Sequence, residues 1–259
     1  MPANRCVFLM YHELELPGRK LCQSEPGYVR YILRIDTFRA QMQWVKNSGF
    51  RGLSVGEALG YPLEPSVCIT FDDGCETDLL AAAPVLMDLG LQATFYLTSG
   101  FLGTPGYLSV GQVRELDAMG FEIGCHSMTH PYLPDLPDPE LRREIVDAKL
   151  QIESIVGHPI EHFSCPGGRC DARTLEVARR AGYRTVTNSR FYANSARTSP
   201  YKLGRVAVFR HTPLHEFAAT CQGRGLWKKN LHDRARYGAQ RLLGNRAYDR
   251  LRAALLSNR

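Results

Sequence analysis

The sequence predicts an α/β fold in which parallel strands alternate with outer helices and curl into a distorted (β/α), TIM-like barrel. Three features predict it. Short apolar runs recur along the chain, each followed by a stretch with apolar residues at helical spacing. The connections are short and bounded by glycine, as expected of strands that return parallel through a helix. Asp72, Asp73, His126 and Pro166 all fall where an apolar run stops, and the carboxyl ends of parallel strands are where such barrels carry chemistry.

Taken in order, Cys6–Tyr11 reads as a buried strand. After a polar stretch with Pro17, Gly18, Pro26 and Gly27, a helix starts at Asp36 and Thr37 and carries Phe38, Met42 and Val45 on one face before Gly49. Phe50–Ser54 and Ser66–Phe71 follow as strands, the second stopping at Asp72-Asp73-Gly74. Leu79–Leu89 reads as a helix stopped by Gly90, Ala93–Leu97 as a strand, and Ser109–Met119 as a helix again closed by glycine. Strand Phe121–Cys125 stops at His126, and Pro139–Val156 reads as one long amphipathic helix. Strand His162–Cys165 leads into Pro166-Gly167-Gly168, followed by helix Ala172–Ala181, strand Thr185–Thr187 and a last strand over Leu203–Phe209.

At 259 residues the chain suits one full-sized domain. A composition of 44% hydrophobic and 22% charged residues excludes a disordered or fibrous chain. No apolar run is long enough to cross a bilayer. Met1–Arg5 passes straight into the short run Cys6–Tyr11, without the apolar core of a secretory signal, so the expected location is cytoplasmic. Eight cysteines without a CxxC pair read as reduced thiols; Cys165 and Cys170 flank a glycine turn that brings them near each other.

Two motifs carry chemistry. Thr70-Phe71-Asp72-Asp73-Gly74 sets adjacent carboxylates just beyond a buried strand, where Gly74 permits the chain to turn. Alone, the pair also fits a turn with a helix N-cap. His126-Ser127-Met128-Thr129-His130 places two imidazoles four residues apart, on one side of a helical turn. Alone, it also fits two surface histidines. Together, two histidines and one aspartate make the ligand set of a catalytic metal with open positions. The second aspartate is then free to take a proton from water.

The strand-DDG motif followed by HSxxH resembles the polysaccharide deacetylase family, also called the NodB-homology or carbohydrate esterase family 4 group, over roughly Cys6 to Phe217. The Tyr11-His12 start is similar to its poly-N-acetylglucosamine deacetylase branch. The resemblance implies a NodB-type barrel in which Asp72 is the base and Asp73, His126 and His130 hold a divalent metal: zinc first, with cobalt, nickel or manganese as alternatives. It implies hydrolysis of the N-acetyl groups of an amino-sugar polysaccharide or glycolipid in cell-envelope polysaccharide metabolism. The family's third motif, Arg-x-Pro, reads Ser164-Cys165-Pro166-Gly167-Gly168-Arg169 here, so the arginine that steadies the base is missing from its usual place. Arg205, from a later strand, is the expected substitute, ahead of Arg169. Pro166, Gly167 and Gly168 are expected to line the oxyanion position. The general acid is expected to be His12, at the end of the first strand, with His211 as the alternative. Among aromatic residues that could stack on a sugar, Tyr132 is the best placed, ahead of Trp44, Tyr107 and Tyr192.

Two other functions stay open on these residues: a catalytically weak carbohydrate-binding or scaffold barrel, motivated by the altered third motif, and a de-O-acetylase using the same site. The expected domains are a catalytic domain over residues 1–220 and a basic helical tail over 221–259. Residues 227–259 hold nine of the 32 Lys/Arg and two of the 26 Asp/Glu, so the tail carries +7 and the remainder −1. Leu231, Leu242, Leu243, Leu251, Leu255 and Leu256 among these arginines suggest an amphipathic helix making peripheral membrane contact. No nucleic-acid partner is expected, because the tail lacks interleaved aromatic platforms.

Overall fold

A computed structural model describes residues 5–61, 64–227 and 230. Most of the expected tail, residues 221–259, and every leucine of its expected membrane-facing side fall outside these residues.

The sheet is assembled from β1 (Arg5–Tyr11), β4 (Arg51–Leu53), β5 (Ser66–Phe71), β6 (Thr94–Leu97), β7 (Glu122–Cys125), β8 (His162–Ser164), β9 (Thr185–Thr187), β10 (Asn194–Ser195) and β11 (Val206–Ala207). The path runs β10-β1-β5-β6-β7-β8-β9, with β4 on β5 and β11 on β1. All pairings are parallel except that of β10 with β1. A parallel bridge from Thr187 to Leu203 joins the edge of β9 to the chain that continues into β11 on β1. The sheet therefore curls round on itself, the distorted (β/α) barrel expected from the alternation. Of the last strand expected over 203–209, only Val206–Ala207 pairs regularly, with Leu203 bridging separately.

Strand side chains alternate between two apolar environments. Phe8, Leu53, Cys68, Tyr96 and Leu203 pack as a plug inside the curl. Leu9, Ile69, Phe71, Phe95 and Ile123 face outward under the helices. Being covered on both sides, β5 is buried at all six positions, which is why it reads as a continuous apolar run rather than an alternating one. The same period sets Thr70 and Asp72 on the inner face above Cys68. The interior thus changes from an apolar plug to polar groups toward the carboxyl ends of the strands.

The helices are α1 (Pro26–Val29), α2 (Ile35–Asn47), α3 (Val55–Ala58), α4 (Ala83–Leu89), α5 (Val110–Ala118), α6 (Asp138–Arg142), α7 (Ala148–Val156), α8 (Ala172–Arg180) and α9 (Leu214–Cys221). On α2, Phe38, Met42 and Val45 are buried, as their spacing predicts. Reciprocal side-chain caps start α5 at Ser109 with Gln112 and α8 at Asp171 with Thr174. Two elements depart from the expectation. The helix expected over Pro139–Val156 is interrupted by a π-turn at Arg143–Asp147, and another π-turn, Asp78–Ala82, precedes α4. Such turns leave the 3.6-residue pattern nearly intact, so the sequence hides them. The polar stretch after β1 also contains a small parallel pair, β2 (Leu14–Glu15) with β3 (Leu33–Arg34); strands of two residues have no readable period. Among the described residues no helix is long and apolar enough to cross a membrane.

Gly124 in β7 has a specific packing reason. A Cβ there would lie 2.4 Å from Tyr96 Cδ1 and 3.2 Å from the His162 carbonyl oxygen. Tyr96 belongs to the plug, so the ring has no free space to retreat into. Gly124→Ala is expected to destabilise the fold by about 1–3 kcal/mol through overpacking, read as a lowered midpoint of thermal unfolding.

Candidate active site

The barrel ladder itself holds the candidate residues. The Asp72 N–H donates to the Tyr11 carbonyl at 3.0 Å, one rung beyond β1 and β5, and the His126 N–H donates to the Leu97 carbonyl at 2.8 Å, one rung beyond β6 and β7. These side chains therefore start from rigid strand ends.

Asp72 is buried and is gripped by Arg205. The guanidinium Nη1 lies 2.7 Å from Asp72 Oδ1 and Nη2 lies 2.7 Å from Oδ2, a two-pronged fork. Arg205 also donates to Ser164 Oγ at 2.7 Å and to Thr70 Oγ1 at 3.1 Å, and is fully buried. Ser164 occupies the position where the family motif has its arginine, and its small hydroxyl meets the guanidinium arriving from the other side. Burial pushes the Asp72 carboxyl up, but Arg205 and then His126 more than offset it and hold the carboxyl well below the usual carboxylate range. Arg169 lies elsewhere, with its guanidinium 3.5 Å from the centroid of the Tyr132 ring.

Asp73, His126 and His130 converge beside this pair. Asp73 Oδ1 lies 3.6 Å from His126 Nε2 and 3.4 Å from His130 Nε2. His126 Nδ1 lies 2.8 Å from the Ser164 carbonyl, which can only accept, so Nδ1 carries the ring proton and Nε2 presents its lone pair. Asp73 Oδ1 is buried without a hydrogen-bond partner. An orphaned carboxylate oxygen facing a ring nitrogen lone pair is a mismatch that a cation between them removes, and the candidate ligand atoms all lie within 4.8 Å of one another. These residues fit a divalent metal. Burial lowers the His126 pKa to about 4, which keeps the ring neutral as a ligand must be.

The two histidines do not meet on a helical turn, as their spacing suggested. Residues 126–130 form an irregular loop, with Ser127 at φ 69° and His130 at φ 62°. Glu144, which the sequence reading passed over, holds this loop. It lies on the π-turn, is buried, and accepts from the N–H groups of Met128 at 2.9 Å and Thr129 at 2.8 Å and from Thr129 Oγ1 at 2.6 Å. Ser127 Oγ accepts the His130 N–H at 3.1 Å. Only the acidic residue type hinted at Glu144; an uncompensated buried glutamate inside an amphipathic helix is the one signal available.

His12 follows β1, with its ring 4.9 Å from Tyr31 and 6.4 Å from Tyr28, and its Nδ1 is buried without a partner. Burial lowers its pKa, opposed by the nearby Asp73 and Asp72 carboxylates. His211 is exposed in the turn beyond β11. At the third motif, Pro166–Gly168 forms a tight turn in which the Gly168 N–H donates to the Cys165 carbonyl at 2.8 Å and the Arg169 N–H to Pro166 at 3.2 Å. The Gly168 N–H is thus already engaged, and Gly167 carries the N–H of this turn outside those two bonds. Tyr132 packs over Gly167, where a Cβ would lie 3.0 Å from Tyr132 Cε1. Trp44 packs between Phe50 and Phe217, away from any sugar-stacking role.

Comparison with known proteins finds similarity to polysaccharide deacetylases. Residues 60–186 match the sequence profile described as polysaccharide deacetylase. The Bacillus subtilis protein YxkH, named for the same family, is 30% identical over 177 residues, covering 66% of this chain and 63% of YxkH. A peptidoglycan-N-acetylglucosamine deacetylase of Bacillus cereus is 34% identical over 127 residues, covering 48% of this chain and 56% of the relative. The chain thus spans less than two thirds of these relatives. The fold superposes on the Streptococcus pyogenes deacetylase PplD with a TM-score of 0.75 at 23% identity, covering 85% of this chain and 99% of that one.

The contacts of Glu144 lead to a test. Glu144→Ala frees the loop carrying His130 and is expected to weaken divalent-metal binding by about 10–100-fold, measured by competition with a chromogenic chelator. Unchanged affinity with a lowered unfolding midpoint would make the residue purely structural.

Proposed function

We propose that the chain, which belongs to the polysaccharide deacetylase family, is a divalent-metal-dependent hydrolase that removes acetyl groups from N-acetylated amino sugars of a glycan or glycolipid. The observation that carries this reading is the side-by-side placement of a fixed, ionised carboxylate, Asp72 on Arg205, and the convergent ligand set of Asp73, His126 and His130. A binding barrel has no use for the first of these. Two imidazoles and one carboxylate favour zinc, and cobalt, nickel and manganese fit the same donors.

A divalent ion held by Asp73, His126 and His130 would supply Lewis acidity and would lower the pKa of water at the site to about 7. Asp72 accepts a proton from the water that attacks the acetyl carbonyl. Its lowered pKa makes it a weak base that is always available, suited to a water proton already made acidic. The fork from Arg205 keeps both carboxylate oxygens in place while the proton arrives. The Gly167 N–H donates to the acetyl oxygen as charge develops on it. His12 gives a proton to the departing nitrogen. Because burial lowers its pKa, its imidazolium, once formed, is a strong donor. Water and the amide are consumed; acetate and a free amino sugar leave.

Acetate release from N-acetylglucosamine oligomers by the metal-loaded protein tests the activity. Asp72→Asn is expected to lower kcat by about 10²–10⁴-fold with metal content unchanged; release that survives in this variant would remove Asp72 from the reaction. No release by the wild type from either oligomers or lipid-linked N-acetylated sugars would overturn the reading.

The pH profile separates the two candidate acids. A donor must be protonated to act, so a His12-dependent limb falls with rising pH and, with a lowered pKa, lies below the ordinary histidine value of 6.5. His12→Gln is expected to lower kcat/KM by about 10²–10⁴-fold and to flatten that limb, whereas His211→Ala keeps both. The reverse pattern would transfer the role to His211.

A further inference from the structure

A second group of metal-type ligands lies beside the site and takes no part in the reaction above. Glu13 is buried directly after His12, Cys75 is buried directly after Asp72-Asp73-Gly74, and Cys22 is half-buried between β2 and α1. Ligand atoms of all three lie within 4.8 Å of one another. Both oxygens of Glu13 accept the Cys22 N–H at 3.0 Å. The Tyr28 hydroxyl lies 3.5 Å from Cys75 Sγ.

Two observations point to a cation. Cys22 Sγ and Cys75 Sγ are 3.8 Å apart, within reach of a thiol hydrogen bond; two thiolates at about 2.3 Å from one tetrahedral zinc are separated by the same ~3.8 Å, whereas a disulfide requires about 2.05 Å. The surroundings are also short of positive charge. Glu13 has no ion-pair partner among the described residues, and Asp78, three residues beyond Cys75, is buried with both carboxylate oxygens unpartnered. Arg19, the cation of this region, directs Nη2 to Glu76 at 2.8 Å and the Gly106 carbonyl at 3.2 Å and keeps Nη1 buried without a partner, so it does not close an ion pair with Glu13.

We propose that Glu13, Cys22 and Cys75 form a second metal site, of the thiolate-rich zinc class, with a fourth position open to water. Its binding deprotonates both thiols and releases the protons to solvent. Its consequence is mechanical. Cys75 belongs to the turn that carries Asp73, while Cys22 belongs to the segment that brings Tyr28 and Tyr31 against His12. A metal joining them clamps that segment to the acidic motif. The site does not depend on the deacetylase reading, since its ligands are separate from Asp73, His126 and His130.

Cobalt loading of the full chain, purified with a non-chelating phosphine reductant, tests it. Thiolate ligands give cobalt an intense near-ultraviolet charge-transfer absorption that a His and Asp site does not. Wild type is expected to take up two cobalt ions per chain and to show this absorption. Cys22→Ala is expected to lose the absorption and one of the two ions, and His126→Ala to lose one ion but keep the absorption. A wild type without the absorption overturns the proposal. So does absorption that persists in Cys22→Ala, which would place it on Cys165 and Cys170. An intact mass showing a Cys22–Cys75 disulfide, with no second ion bound after reduction, overturns it as well.

Discussion

The buried fork between Arg205 and Asp72 is the contact on which the site depends. Two charges taken out of water in the barrel interior repay their desolvation only if the geometry is good and the remaining donors are satisfied. Here Thr70, Ser164 and the Asn188 carbonyl accept the remaining three guanidinium N–H groups. Removing either partner would leave a lone buried charge, at a cost of about 3–5 kcal/mol. The fork fixes more than Asp72. Ser164 uses its hydroxyl on Arg205 and its carbonyl on His126 Nδ1, so Asp72 and His126 are aligned by one residue. The chain has a serine in place of the expected arginine at that position and takes the guanidinium from Arg205, the residue just before β11, across the seam where the sheet closes. Closure of the barrel and ionisation of the base are therefore one constraint.

A second layer of support comes from outside the barrel. The π-turn at Arg143–Asp147 widens a helix that would otherwise keep its period, and Glu144, on that turn, is buried against the 126–130 loop. A carboxylate accepting two backbone N–H groups and a hydroxyl holds a loop more firmly than packing does. The loop also receives bonds from the opposite side, where the N–H groups of Ser99 and Gly100 donate to the carbonyls of Ser127 and Met128 at 3.1 and 2.8 Å. His130 is thus set between two rigid bodies although it lies on no regular element.

The strand positions and the candidate cluster of Asp73, His126 and His130 were legible in the sequence because they follow from period and residue type. Continuous apolar runs such as Ser66–Phe71 announce strands covered on both faces, and an aspartate with two histidines at strand ends has few other uses. What was not legible depends on contacts that are distant in sequence. The fork joins residues 133 apart and was reachable only through the gap in the third motif, which called for an arginine from elsewhere; the Cys22–Cys75 pair spans 53 and leaves no local pattern. The irregular loop at 126–130 was read as helical because HxxxH spacing is all that the sequence offers. Its real geometry is imposed by Glu144 from a different element.

The backbone carries the remaining evidence that these positions are constrained by chemistry. Asp73, Ser127 and His130 adopt φ values of 79°, 69° and 62°, the left-handed region that favours glycine. Such residues cost of order 1–3 kcal/mol each and persist only where the surroundings over-determine them. Glycine would relieve the strain at every one of the three. At Asp73 and His130 it would also remove a candidate ligand atom, and at Ser127 it would remove the hydroxyl that accepts the His130 N–H. Gly74, next to Asp73, has φ 78° and no side chain to lose, and there the chain does use glycine. Tyr61, at φ 43°, is the other described non-glycine residue in this region; within the site, the strain falls on positions whose side chains the site needs and is relieved at the neighbour whose side chain it does not.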